Sequence, residues 1–592
     1  MRIKWFSFIR VTGLLLVLLY HFFKNSFPGG FIGVDIFFTF SGFLITALLI
    51  DEYAKNDKID LIGFYRRRFY RIVPPLVLMV LIIIPFTYLV KSDFVASLGQ
   101  QIAASIGFTT NFYEILTGSS YESQFIPHLF VHTWSLAIEV HFYLLWGLLV
   151  WFLAKRDYTD KQFRGLLFII SNIIFAVSFL SMFVRAFFVS NFSLIYFSSL
   201  SHIFPFFIGS MFATISGIKD TTVRLQKNSR LWPRKYVIAF MVGSFILLFL
   251  LTLSLDFNHI MTYLFGFVLA SLFTAVMIYS ARVLHEQTPD WEEPFIITYI
   301  ADISYGVYLF HWPFYIIFSQ LMPNWLAVLL TVLFSAIFAS LSYYVIEPFI
   351  AGKKPELFGL ALDLKPYTKW IIVAGLALLT VTIARSAGAP NVGKFEKELL
   401  VGTLQQGQAN INRTHTLAAG DANALSDVSI IGDSVALRSN AAFSKIMPTA
   451  QLDAAVSRNF SIAYDIFDNH IKNHSLSKTT VLAVGVNSLD NYQEALQKFV
   501  DDLPKGNRLV LVSPYNAKDL SSIAKVRDYE LKLAKKYSYI TVADWYKVAL
   551  ENPDIWYGSD GVHYSDSDTK GADLYVNTIK DAVTRIAKQK AK

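Results

Sequence analysis

The feature that most restricts how this chain can fold is a succession of apolar runs that fills it to about residue 387, each near the roughly 20 residues a helix needs to cross a bilayer. Candidate spans lie near residues 9–27, 32–50, 72–90, 135–153, 166–184, 195–217, 236–255, 260–281, 296–318, 325–347 and 369–387. That predicts about eleven transmembrane helices. A further apolar stretch near 96–116 holds Thr109, Thr110 and Asn111 and reads as re-entrant or interfacial, so the count can shift by one. With 54% apolar residues, 53 Phe and only 16% charged residues, the chain is too apolar for an ordinary soluble protein. The run Ile9–Phe23 is followed by NSFPGGFIG, which has no A-x-A-like cleavage site, and reads as a retained helix.

Charge supplies the orientation. If the N-terminus is cytoplasmic, the inner connections hold Arg66, Arg67, Arg68 and Arg71, then Lys155, Arg156, Lys161 and Arg164, then Lys219, Arg224, Lys227, Arg230, Arg234 and Lys235, then Lys353 and Lys354. The outer connections hold chiefly Lys24, Lys91 and Arg185. This is the positive-inside asymmetry, and an odd number of spans puts everything after Arg385 outside the cell membrane. The net charge of +8 is thereby assigned to topology, and no nucleic-acid partner is expected. The absence of cysteine excludes disulfides, thiolate metal sites and cysteine nucleophiles.

The remainder reads differently. Residues 391–427, rich in Gly, Ala, Asn and Gln, lack sustained apolar periodicity and are expected to be a linker. Beyond them, short β-branched runs (VSIIG, TVLAVG, RLVLVS, YITVAD) alternate with amphipathic stretches such as SIAKVRDYELKLAKKY. That pattern predicts a three-layer α/β/α domain over 428–592, outside the membrane. The expected division is a membrane domain over 1–350, a cytoplasmic loop with one more transmembrane helix over 351–390, the linker, and the outer domain.

Ser434 follows the run VSIIG directly in GDSV, at the C-terminal end of a predicted strand, where open α/β sheets build their sites. Near the end of the domain, DGVH sets Asp560 and His563 three residues apart, so that the carboxylate can orient the imidazole while the other ring nitrogen faces Ser434. Either tetrapeptide alone is equally well an ordinary strand-to-turn junction or surface turn. Their occurrence at opposite ends of one domain, with VGVNS after a middle strand, points to a nucleophilic site.

In the membrane half, Arg10 and His21 are eleven residues apart, about 16 Å along a helix and nearly on one face, so both can line one channel. An arginine at a cytoplasmic helix end also serves as a topology anchor. Asp35 in GGFIGVDIFFTFSGFLIT and Glu139 in HTWSLAIEVHFYLLW are carboxylates in apolar surroundings and need partners. Arg68 and Arg71 in FYRRRFYRIVPP lie one turn apart on the predicted cytoplasmic side, placed to meet the phosphates of a nucleotide-bearing donor or to act as a positive-inside cluster. His311 in LFHWP is a site candidate or a hydrogen-bonded structural histidine.

Two resemblances carry these residues further. GDSV, VGVNS and DGVH resemble blocks one, three and five of SGNH-type (GDSL-like) hydrolases and acetyltransferases. The resemblance implies Ser434 as nucleophile, His563 as base, Asp560 as its orienter, and Asn487 with the backbone N–H groups of Ser434 and Gly485 as an oxyanion hole. LDAAVSRNF resembles the second block, with Ser457 standing where that family usually has glycine. A Ser457 N–H can still donate there if its conformation does not require the positive φ that glycine tolerates.

R-x10-H, the GVDIFF…SGF run, RRRFYRIVPP, WSLAIE and SYGVYLFHWP resemble the acyltransferase-3 membrane family over residues 1–350. Joined to an outer SGNH domain, they are similar to the peptidoglycan O-acetyltransferases of Gram-positive envelopes. This implies acetyl-CoA as cytoplasmic donor substrate with no bound cofactor or metal, His21 and Arg10 as essential to acyl transfer, and MurNAc 6-hydroxyls as acceptor. Val140 and His141 depart from the family's usual run after the tryptophan. Other readings stay open: O-acetylation of a teichoic acid or exopolysaccharide, simple esterase action, or a transporter with an outer glycan-binding module.

Overall fold

The computed structural model describes residues 3–117, 128–189, 191–357, 359–418, 427–487, 491–517, 519–556, 559–565 and 569–592. Two compact units divide the chain: Met1–Val90 with Ser97–Pro390, and Lys91–Ala96 with Asn391–Lys592.

The first unit is helical, as apolar sequence without water to satisfy its backbone must be. Among the described residues, nine helices are long and apolar enough to cross a membrane, against about eleven expected. The helix Phe6–Phe22 is shorter than that class, and Phe295–Leu321, though 27 residues long, is diluted by Asp302, His311 and several tyrosines. The stretch near 96–116 forms two short helices, Leu98–Ile106 and Thr110–Leu116. Helix starts follow the side chains available: Asp60 accepts from Gly63 N at 2.9 Å to cap Leu61–Phe86, and Thr159 with Gln162 forms a capping box on Asp160–Arg185.

The tightest helix crossing joins Gly33–Asn56 to Phe204–Ser216. A Cβ on Gly42 would stand 1.9 Å from the carbonyl oxygen of Phe206, and one on Gly209 would stand 1.9 Å from that of Thr39. Only glycine at both positions lets the two backbones touch, the usual way membrane helices gain packing without a hydrophobic drive between them.

In the second unit, five parallel strands, β1 (Val428–Gly432), β2 (Gln451–Ala454), β3 (Thr479–Ala483), β4 (Arg508–Val512) and β5 (Ile540–Ala543), pair in the order β2-β1-β3-β4-β5. Gly432 pairs with Ala454 on one side and Ala483 on the other. The strand order reverses between β1 and β3, which opens a crevice at the carboxyl ends of these two strands. On one face Phe467, Phe499, Leu496 and Val526 pack on Leu482, Leu509 and Leu511. Truncating Phe467 or Phe499 to alanine costs about 3–5 kcal/mol. On the other face Tyr575, Val576, Ile579, Ala582 and Ile586 form the buried stripe of the helix Lys570–Ala587.

The expected linker is not one. Lys394–Ala418 is a 25-residue helix that packs within the second unit, and residues 419–426 lie outside the described residues. Its narrow apolar stripe, carried by Leu399 among Gln, Thr and Gly, was too weak to register as periodicity.

Candidate active site

Ser434 emerges from β1 at the crevice. Gly432 is required two residues earlier because a Cβ there would lie 2.3 Å from the Cβ of Ala436, in the turn that follows the strand. Asp433 Oδ1 accepts from Val435 N at 2.9 Å and caps the helix Ser434–Arg438, which begins at the serine. His563 Nε2 lies 2.8 Å from Ser434 Oγ, and His563 Nδ1 lies 2.7 Å from Asp560 Oδ2. The other carboxylate oxygen of Asp560 accepts from the backbone N–H groups of His563 (2.7 Å) and Val562 (2.8 Å). The three residues expected to act together are therefore in hydrogen-bonding sequence, and Asp560 fixes Nδ1 as the protonated nitrogen so that Nε2 can take a proton from the serine.

Burial pushes the Asp560 carboxyl up, but the adjoining His563 and the two backbone donors outweigh it and hold the group below the usual carboxylate range. At Asp433 burial wins instead: it raises the carboxyl to about 6 despite the Val435 and Ala436 backbone donors and the nearby His563 and Arg458.

The strand ends beside the serine are stitched together. Ala455 N donates to Gly432 O (3.2 Å) and Asp433 N to Ala483 O (3.0 Å). Asn487 Nδ2 donates to Arg458 O at 3.4 Å, tying the loop after β3 to the loop after β2, and Arg458 is itself anchored by Asp453 Oδ1 at 2.7 Å. Gly485 has φ +147°. Ser457 has φ +57°, so the condition attached to it fails: the position does require the left-handed conformation, and serine adopts it at a cost of about 1 kcal/mol.

In the membrane unit, Arg10, Arg68, Arg71 and Glu139 line one cavity of about 130 Å³, together with Ser41, Tyr143, Tyr305 and Tyr308. Glu139 accepts hydrogen bonds from Ser41 and Tyr143. Arg68 Nε is buried with no hydrogen-bond partner among the described residues, and its guanidinium lies 5.9 Å from the ring centroids of Phe64 and Tyr143. Three cationic side chains and several hydroxyls in an apolar wall suit a phosphate-bearing ligand.

The other expected members fall elsewhere. His21 does not line the cavity; its Nδ1 lies 2.9 Å from His311 Nε2, and its ring packs on Trp312. Arg10 and His21 thus belong to two neighbouring groups, because Tyr308, a cavity residue, packs on His311 and bonds Ser135 Oγ (2.6 Å) and His132 O (2.9 Å) between them. Asp35 is fully buried outside the cavity, paired with His202 Nε2 at 3.0 Å, and therefore supports the fold of the unit. His141 turns away to Ser199 and Phe112.

His132, Tyr143, Tyr308 and Ser41 were not singled out from sequence. For one of them a signal existed: Ser135, Glu139 and Tyr143 recur every four residues and form a polar stripe on an otherwise apolar helix. His132 and Tyr308 reach the site by tertiary packing, which no local spacing reveals.

A polytopic helical unit with a polar cavity, followed by a unit with a serine–histidine–aspartate arrangement, defines a membrane-bound acyl-transfer protein. The family model described as an acyltransferase domain matches residues 3–346. The chain belongs to this acyltransferase-3 family and is a multi-pass membrane O-acetyltransferase. It is 27% identical to the O-acetyltransferase OatA of Staphylococcus aureus strain MRSA252, covering 97% of this chain and 96% of that protein. The same identity and coverage hold for OatA of strain NCTC 8325 / PS 47. Among solved structures, the C-terminal catalytic domain of Streptococcus pneumoniae peptidoglycan O-acetyltransferase A, with a methylsulfonyl adduct, is similar at 39% identity over 28% of this chain and 97% of that one, with a TM-score of 0.28.

Proposed function

We propose that the protein transfers acetyl groups from cytoplasmic acetyl-CoA to hydroxyls of a cell-envelope polysaccharide, most simply the MurNAc 6-hydroxyl of peptidoglycan, through an acetyl ester on Ser434. The observation that carries this reading is the unbroken Ser434, His563, Asp560 chain in a unit joined to a membrane acyltransferase.

The N-terminus is cytoplasmic, the membrane unit crosses about eleven times, and the C-terminal unit is an SGNH-type domain facing the wall. The donor's phosphates meet Arg10, Arg68 and Arg71, and its acetyl group passes outward by way of His21. Ser434 Oγ then attacks the acetyl carbonyl while His563 Nε2 takes the serine proton. The backbone N–H groups of Ser434 and Gly485 and the Asn487 amide stabilise the oxyanion. The departing carrier takes the proton from His563. In the second half, His563 removes the proton of a sugar hydroxyl, whose oxygen attacks the acetyl-serine; Ser434 recovers its proton and the sugar leaves as its acetyl ester.

The test is mass spectrometry of digested cell wall from cells lacking the protein and from cells carrying Ser434→Ala. Loss of the acetyl increment from muramic acid in both is the expected result. Loss from another glycan reassigns the acceptor, and unchanged wall acetate with Ser434→Ala overturns the serine route.

A further inference from the structure

The helix Lys394–Ala418 turns Glu398, Gly402, Gln405 and Gln406 toward the catalytic unit, four residues on one helical face. Gln406 uses both ends of its amide on one residue of the edge strand β2: Oε1 accepts from Ala454 N at 3.0 Å and Nε2 donates to Ala454 O at 3.2 Å. It substitutes there for a neighbouring strand. Gln405 Oε1 accepts from Asn440 Nδ2 at 3.3 Å. A Cβ on Gly402 would stand 3.2 Å from Leu437 O, so the backbone of this helix approaches the short helix that begins at the nucleophile.

Glu398 then reaches the other end of that short helix. Its Oε2 is 3.4 Å from Nη2 of Arg438, whose side chain is 6% exposed and which is the last residue of the helix Ser434–Arg438. The Arg438 guanidinium lies over the ring of Tyr564, 5.1 Å from its centroid. The Tyr564 hydroxyl donates to Ser439 Oγ at 2.6 Å, and Ser439 Oγ donates to Val435 O at 2.7 Å. Tyr564 follows His563 directly in the chain. One continuous line of contacts therefore joins Glu398 to Val435 and Tyr564, the residues that directly follow the nucleophile and the base. A mere tether needs none of it.

We propose that the helix Lys394–Ala418 is a positioning element of the catalytic site, in which Glu398 holds Arg438, Arg438 holds Tyr564, and together they set the spacing between Ser434 Oγ and His563 Nε2. The functional catalytic unit accordingly begins near residue 394 rather than at β1. This rests on Ser434 being the nucleophile.

The experiment uses full-length protein in nanodiscs, with turnover of p-nitrophenyl acetate as readout and sulfonylation by phenylmethylsulfonyl fluoride to count reactive serines. Counting sites separates a smaller folded fraction from a slower site. Glu398→Gln lowers kcat per reactive serine and the sulfonylation rate together by about tenfold, as a sub-ångström displacement of a catalytic pair does, with KM nearly unchanged. Glu398→Asp restores most of the loss. If Glu398→Gln does not accumulate folded, Tyr564→Phe, which keeps the ring and loses the bond to Ser439, decides by the same readout. Parental rates per site in the folded variant, with Ser434→Ala inactive, overturn the positioning role. Turnover surviving in Ser434→Ala instead removes the serine reading itself.

Discussion

His21 Nδ1 and His311 Nε2 share one hydrogen bond of 2.9 Å, and its polarity is determined by a third atom. His311 Nδ1 lies 2.6 Å from Tyr308 O, so that nitrogen carries its proton and His311 Nε2 is the acceptor. His21 must then donate from Nδ1, which leaves the lone pair of the His21 ring on Nε2. His311 thereby fixes the tautomer and orientation of the His21 ring.

His311→Ala is expected to lower wall acetylation by roughly 10²-fold without loss of the protein from the membrane, because His21 loses its fixed tautomer and orientation. His311→Gln, which retains an acceptor, should be less damaging than His311→Ala. Acetate released from isolated wall by mild base measures both.

Arg68 is expected to act on the donor rather than on the acceptor. Replacing it by glutamine removes a charge-assisted contact, so KM for acetyl-CoA in sealed vesicles should rise at least about tenfold. Ester turnover at Ser434, assayed with p-nitrophenyl acetate, should not change.

Two carboxyls in the C-terminal unit have opposite pH signatures. Asp560 is held below its ordinary range, so the stability it contributes is present above about pH 4 and is lost as pH falls through its lower folded value. Asp433 is raised to about 6, so its charged form costs stability above that pH, and the cost disappears on acidification towards about pH 4. Asp433→Asn, which keeps a cap acceptor, should therefore stabilise the unit above pH 6 by up to about 2–3 kcal/mol and give no gain near pH 4. Hydrogen exchange of β1 and β3 amides across that range checks the sign. Asp560→Asn should destabilise at neutral pH and cut turnover by about 10³–10⁴.

Ser457→Gly should relieve the left-handed backbone at φ +57°, raising stability by up to about 1 kcal/mol with ester turnover retained. Ser457→Val, with a branched Cβ, should lose both. Thermal melts and p-nitrophenyl acetate rates distinguish the two outcomes.

Local sequence carries some of these features and not others. Ser434, Asp560 and His563 were legible because a strand end and a three-residue spacing determine where their side chains can go. The membrane helices were legible because a bilayer demands their length and apolarity, and the family resemblance read from R-x10-H and WSLAIE is borne out by the match over residues 3–346. The helix Lys394–Ala418 was not legible, since its contacts are a glutamine on a strand edge and a glutamate on a distant arginine rather than an apolar stripe. Asp35 read as a membrane-site carboxylate because sequence reports that a charge is in apolar surroundings and not that His202, 167 residues away, meets it.

The step that can be tested most directly is the proposed arrival of acetyl at Ser434 from the far side of the membrane. Sealed vesicles oriented with the cytoplasmic face accessible, supplied with isotopically labelled acetyl-CoA and no acceptor, allow peptide mass spectrometry of the segment holding Ser434. Labelled acetyl on that serine, absent in His21→Ala, is the predicted result; labelled wall glycan made by a Ser434→Ala protein, or an unlabelled serine while wall is being acetylated, would contradict it.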